Sequence, residues 1–252
     1  YVLPPSFSSA WMAFQSKISK RIGYAGEYRS FLLTSAKINE IGPGSQHLLK
    51  EYLDLLSNDL EMGNYAPRLE VKNDWVKEQL DSCTFKIPEK FVVFTPGAMY
   101  GPSKQWPEGN FRELGKQLHE AFGHKILLLG TIDDFESGTK IAHDHDWINN
   151  FCGKTTLAQL LAILTKTQLL VGNDSGSMHL MAALQRPQIA VFGSTSPTWT
   201  GPINANATVM SSNLTCSPCF SRTCRFGHYD CLTQINPENV FVEVQKHLSK
   251  VY

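Results

Sequence analysis

From residue 89 onward, short apolar runs alternate with segments at helical spacing, and this alternation most constrains what the chain can become. Phe91-Val92-Val93-Phe94 reads as a buried strand, 111–122 as a helix, 125–129 as a strand and 135–143 as a helix. Phe151 opens a short strand or turn. Residues 157–165 then read as a helix, 168–171 as a strand, 178–184 as a helix and 188–192 as a strand. Continuous apolar runs of strand length suit strands covered on both faces. Strands separated by helices must cross over in parallel, so the expected fold class is α/β, a parallel sheet with helices on both faces. Residues 237–251 read as a closing helix, with Val240, Phe241, Val244 and Leu248 at helical spacing.

Residues 1–85 have another texture. Residues 6–18 place Phe7, Trp11, Phe14 and Ile18 on one helical face, and 46–56 and 73–81 are further helices, the last with Asn73 as its N-cap. Lys20-Arg21-Ile22-Gly23-Tyr24 reads as a short strand, and Tyr1-Val2-Leu3-Pro4 as the end of one. The expected division is 1–85 as a partial N-terminal domain, 86–236 as a second domain and 237–252 as a C-terminal helix. A short linker lies around residues 82–90, which include Pro88.

Composition removes several functional classes. Lys plus Arg total 23 and Asp plus Glu total 23. No basic excess marks a nucleic-acid binder. The longest apolar runs are strand-sized, far short of the ~18 residues that a membrane span needs. No export signal is visible, so the six cysteines are expected to be reduced.

The most informative segment is 171–183. The strand 168–171 ends in the turn Gly172-Asn173-Asp174-Ser175-Gly176, and a helix follows. Open α/β sheets bind ligands at the carboxyl ends of their strands, and a helix N-terminus there offers free N–H groups and a positive dipole end. A diphosphate fits both features. Ser175 can donate its hydroxyl, and His179 lies one turn further on the same face. Asp174 has three readings: a helix N-cap, a ligand of sugar hydroxyls, or a group that orients His179. Taken alone, the turn could be only a capped helix start.

Three other loops lie at the same edge. The loop from Thr95-Pro96-Gly97 to Lys104-Gln105-Trp106-Pro107 is long, and Lys104 is a natural counter-charge for phosphate. The loop Gly130-Thr131-Ile132-Asp133-Asp134 carries acids suited to ribose hydroxyls; Asp133, Asp134 and Glu136 are all candidates. Gly193-Ser194-Thr195-Ser196-Pro197 offers hydroxyls and backbone N–H groups.

Thr95-Pro96-Gly97-Ala98, Lys104-Gln105-Trp106-Pro107, Gly172-Asn173-Asp174-Ser175-Gly176-Ser177-Met178-His179 and Cys216-Ser217-Pro218-Cys219 together resemble the lipopolysaccharide heptosyltransferases of glycosyltransferase family 9. The resemblance covers nearly the whole chain. It implies a GT-B fold, two Rossmann-like domains with parallel sheets, here with the N-terminal domain incomplete. It implies an inverting, metal-independent and cofactor-free transfer of L-glycero-D-manno-heptose from ADP-heptose. The acceptor would be the heptosyl-Kdo-lipid A inner core of lipopolysaccharide, at the cytoplasmic face of the inner membrane, with the enzyme peripheral to it. By the same resemblance, Gly97, Lys104, Asp174, Ser175, Gly176, Met178 and His179 bind the donor, and Lys104 stabilises the leaving diphosphate.

The resemblance also implies a Gly-Asp-containing loop whose Asp is the general base, and no such segment precedes Tyr1. The chain is thus expected to be either truncated upstream or a non-catalytic nucleotide-sugar-binding remnant. A serine hydrolase using Ser175 is the remaining alternative, although Asp174 rather than Ser175 holds the middle position of Gly-x-Ser-x-Gly. Cys216, Cys219, Cys224 and Cys231, with His228 among them, admit structural zinc, reduced thiols or disulfides.

Overall fold

The computed structural model describes residues 1–39 and 44–249. The chain divides into two compact units, Tyr1–Ala66 with Thr198–Thr200, and Pro67–Pro197 with Gly201–Tyr252. The first contains α1 (Phe7–Gln15), β1 (Ile22–Tyr24), β2 (Ser35–Lys37) and α2 (Leu48–Leu56). The Ser6 side chain caps α1 by accepting from Ser9 N at 3.3 Å. β1 and β2 pair in parallel, and the expected strand at residues 1–4 is reduced to one bridge, Val2 to Gly23.

Arg29 organises this unit. It is fully buried, and its guanidinium donates to the carbonyls of Pro4, Ser6 (3.2 Å) and Tyr24 (3.0 and 2.9 Å). A guanidinium keeps its charge and its five donors, so burial is tolerable only where acceptors converge on it.

The second unit contains α3 (Asn73–Asp81), β3 (Phe91–Thr95), α4 (Glu108–Phe122), β4 (Lys125–Leu128), α5 (Phe135–Ala142), β5 (Ile148–Asn150), α6 (Leu157–Leu164), β6 (Leu170–Asn173) and α7 (Gly176–Ala183). Then follow β7 (Gln188–Phe192), β8 (Ala207–Ser211), the single turn α9 (Asp230–Thr233) and α10 (Pro237–Leu248); the single turn α8 (Pro197–Thr200) falls, from Thr198 on, to the first unit. Six strands form one parallel sheet in the order β5-β4-β3-β6-β7-β8. Successive side chains of a strand point to opposite faces. Val92 and Phe94 accordingly pack with residues of α4, α5 and α10, while Phe91 and Val93 pack with Ile163 and Leu164 of α6 and Met181 of α7.

Two expectations shift. Asn73 is the first helical residue rather than the cap, a place taken by Lys72. The compact units divide at Ala66, not near residue 85, because α3 packs on α6 and Leu80, Phe85 and Ile87 lie against the core on that face of the sheet. Phe151 opens a turn, one of its two expected readings: β5 ends just before it and Lys154 N donates to Phe151 O at 3.0 Å; Phe151 stacks on Phe85 at 3.6 Å between ring centroids. β8 was not expected: Ala-Thr-Val-Met-Ser has no apolar run, as befits a half-exposed edge strand. Of the closing helix expected at 237–251, residues 250 and 251 lie outside the described residues.

Arg29→Ala would leave three carbonyls without their shared donor. The expected loss is about 2–3 kcal/mol of stability, read from denaturant unfolding; an unchanged midpoint would show that water replaces the guanidinium without cost.

Candidate active site

The chain runs from β3 outward through β4 to β5, then returns to the other side of β3 for β6. Crossovers therefore leave β3 in both directions, and the strand ends part at the carboxyl edge between β3 and β6. Such a switch point is where open α/β sheets bind ligands. A cavity of about 860 Å³ opens there. Its wall is built by the loops after β3, β4 and β5, the β6–α7 turn, and residues of α6 and α7.

Close backbone approach sets the shape of the floor. Gly172 pairs with Thr95 across β6 and β3, and a Cβ on Gly172 would collide with the Thr95 hydroxyl. Asn173 ties the two loops together: its amide donates to Pro96 O at 2.6 Å and accepts from Trp106 N at 3.0 Å. The Asp134 carboxylate lies against Gly97, where a Cβ would overlap it. Thr131 holds that carboxylate through its backbone N (2.7 Å) and hydroxyl (2.9 Å). Of the three acids considered for ribose, Asp134 lines the cavity. Asp133 is exposed and outside the lining, and Glu136 turns to Lys140 at 3.0 Å.

The lining falls into two chemical groups. The polar group includes Lys104, Asp174, Ser175, Gly176 and Ser177. Ser175 holds the cap position of α7 in extended conformation without a side-chain cap bond; its hydroxyl meets Ser177 Oγ at 2.9 Å instead. Side-chain capping therefore does not consume the first-turn N–H groups of α7. The apolar group is Leu129, Ile132, Leu157, Leu160 and Leu180, and Thr131, Thr155 and Thr156 also line the cavity.

Asp174 is not the helix cap. Its Oδ2 accepts from Lys104 Nζ at 2.6 Å and from Thr195 Oγ1 at 2.7 Å. Charged and hydroxyl donors from two other strand ends take the carboxylate, and the cap position falls to Ser175. The Lys104 ammonium also lies 4.8 Å from the Tyr100 ring centroid.

Gly97, Lys104, Asp174, Ser175 and Gly176 are thus brought together on one cavity, whereas Met178 and His179 are not part of its lining. Met178 is fully buried against Ala190 and Phe192, because its position on α7 faces the sheet. His179 is exposed. The loop after β7 was expected to offer hydroxyls to a ligand. Instead Ser194 Oγ donates to Ser103 Oγ at 2.9 Å and Thr195 serves Asp174, both behind the wall. Sequence reasoning passed over the β5–α6 loop, although the Thr156–Gln159 capping box marks a helix start there.

The cysteine loop fastens onto the Lys104 loop. Ser103 N donates to Arg222 O at 3.2 Å, the Ser103 hydroxyl to Ser221 O, and the Tyr100 hydroxyl to Phe220 O. Gly101, at φ +141°, meets Arg222 O so closely that no Cβ fits. Cys216, Cys219, Cys224 and Cys231 are all free thiols, and no three His, Cys, Asp or Glu among the described residues are grouped to hold a metal ion. Backbone N–H groups, foremost that of Tyr229, pull the Cys224 thiol below its ordinary pKa. Burial pushes Cys231 up, helped by neighbouring thiols, and pushes Cys152 up to about 12.

A family model described as "Glycosyltransferase family 9 (heptosyltransferase)" matches residues 1–230. Lipopolysaccharide heptosyltransferase 2 of Salmonella typhimurium is 30% identical over 263 aligned residues, covering 99% of this chain and 75% of that protein. Its Escherichia coli counterpart is 30% identical, covering 97% and 73%. Among solved structures, the E. coli ADP-heptose lps heptosyltransferase II superposes with a TM-score of 0.83 at 29% identity, over 98% of this chain and 75% of that one. A family 9 glycosyl transferase from Veillonella parvula superposes at 0.78 with 21% identity, over 98% and 72%, and so shares the fold.

Thiolates rather than thiols react with alkylating agents. At pH 7, iodoacetamide mapped by mass spectrometry should label Cys224 first and Cys152 and Cys231 last. Early labelling of Cys152 would contradict its burial.

Proposed function

The chain belongs to glycosyltransferase family 9, the heptosyltransferases, and from that premise we propose that the cavity between β3 and β6 holds a nucleotide-heptose donor by its diphosphate. The reaction is inverting transfer of L-glycero-D-manno-heptose from ADP-heptose onto the heptosyl-Kdo-lipid A inner core of lipopolysaccharide. The observation that carries the site assignment is the polar group of the lining, where the Lys104 ammonium and the N-terminus of α7 face the same space.

The division of the lining orients the donor. The diphosphate meets the polar group, with oxygens on the first-turn N–H groups of α7 and on Lys104. The base meets the apolar group, Leu129, Ile132, Leu157, Leu160 and Leu180. Asp134, which lines the same cavity, is suited to ribose hydroxyls. When the bond between the sugar carbon and the diphosphate breaks, negative charge grows on the leaving phosphate. Donors already aimed at that position stabilise the transition state more than the ground state. Lys104 carries the largest part of this charge compensation.

Asp174 modulates it. Ion-paired to Lys104, it keeps the ammonium extended toward the cavity, and an incoming diphosphate shares that ammonium. Inverting chemistry also requires a carboxylate to take the acceptor hydroxyl's proton. That role belongs to the acceptor side, and the residues assigned in this cavity act only on the leaving group. The larger unit is the donor-binding domain and the smaller one contributes to the acceptor side. Among the described residues no helix is long and apolar enough to cross a membrane. The proposed setting is peripheral, at the cytoplasmic face of the inner membrane where the lipid-linked acceptor is presented.

Calorimetric titration tests the donor assignment. ADP is expected to bind in preference to UDP, and Lys104→Ala to weaken ADP by roughly tenfold or more, the loss of one charged contact. Equal affinity for ADP and UDP would overturn the base assignment. An unchanged ADP affinity in Lys104→Ala would overturn the site.

A further inference from the structure

The donor cation is held by a closed ring of polar contacts that three strand ends share. Lys104 Nζ meets Asp174 Oδ2 at 2.6 Å, and Thr195 Oγ1 donates to that same oxygen at 2.7 Å. The preceding residue, Ser194, reaches back to the residue before Lys104: Ser194 N donates to Ser103 O at 3.1 Å and Ser194 Oγ to Ser103 Oγ at 2.9 Å. Ser194 after β7 thus clamps Ser103 after β3, and its neighbour Thr195 reaches Lys104 through Asp174 after β6, which closes the circuit. Ser103, Asp174, Ser194 and Thr195 are each more than nine-tenths buried, so water competes little for these bonds.

We propose that Thr195 is a positioning residue for the donor-phosphate lysine, acting through Asp174. It lies outside the cavity lining and so would not touch the donor. A carboxylate held only by a flexible lysine can rotate about its Cβ–Cγ bond and take the ammonium with it. A second, short donor on the same oxygen removes that freedom, because both Oδ2 contacts can be kept only in one orientation. Thr195 also supplies a hydroxyl rather than a charge. A cation in its place would compete with Lys104 for the carboxylate, and an apolar side chain would leave a buried carboxylate short of one donor. The ring therefore presets the ammonium where the diphosphate arrives, so the donor need not order it on binding.

This inference rests on the proposal that Lys104 binds the donor diphosphate. Thr195→Val, which keeps the shape and removes the hydroxyl, should raise the donor KM and the ADP dissociation constant roughly tenfold while leaving the acceptor KM unchanged. Thr195→Ser, which keeps the hydroxyl, should remain within about threefold of the parent on both, since the donated bond is retained. In a double-mutant cycle, Thr195→Val should add almost nothing to Lys104→Ala, because its effect passes through that lysine. Thr195→Ala replaces the valine variant if the latter does not fold.

A parent-like donor KM in the valine or alanine variant overturns the positioning role. So does equal damage from serine and valine, which would mark a packing role for the methyl group, and so does full additivity with Lys104→Ala. The underlying reading fails separately: if Lys104→Ala itself binds ADP normally, the diphosphate assignment is lost whatever Thr195 does.

Discussion

A parallel sheet cannot be closed by hairpins, so each strand must be followed by a crossover that covers one face. That constraint generates both the core and the cavity. The order β5-β4-β3-β6-β7-β8 requires the chain to leave β3 toward one edge and later return to its other side. Helices consequently pack on both faces, and the apolar residues of β3 are divided between two core clusters. At the carboxyl edge the loops of β3 and β6 turn away from each other, and a cavity opens between them.

Within that gap the arrangement of charge matters more for function than for stability. A buried ion pair such as Lys104–Asp174 recovers its desolvation cost only with good geometry and further hydrogen bonds. Both partners are largely shielded here, with side-chain exposures of 14% and 4%, and Thr195 supplies the additional bond. The same contacts bring a cation to the N-terminus of α7, where the helix dipole also favours an anion. The cysteine loop reinforces this corner from outside by bonding to Ser103 and Tyr100.

Much of the larger unit was legible in the sequence. Helix α3 and strand β7 match their expected limits, and most other elements differ by a few residues at their ends. The apolar runs were informative because strands buried on both faces leave no alternative composition. β2 and β8 escaped notice for the opposite reason: edge strands with partly exposed residues lack that pattern. At the site, Gly97, Lys104, Asp174, Ser175 and Gly176, expected from the sequence to bind the donor, line one cavity. Met178 and His179, named with them by the family resemblance and, for His179, by helical spacing from Ser175, lie outside that lining: Met178 faces the sheet and His179 is exposed.

The sequence by itself determined the class of fold, the strand ends that would meet at one edge and the glycine turn that opens α7. These follow from local rules: apolar periodicity, glycine's lack of a side chain and the free N–H groups of a helix start. Only the tertiary structure decided which partners each polar side chain takes. Asp174 became the holder of Lys104 rather than a cap, Asp134 was separated from Asp133 and Glu136, and Thr195 was turned from the ligand to Asp174. The choices made at Asp174 depend on contacts between residues 70 and 21 positions apart in the chain, which no local pattern encodes.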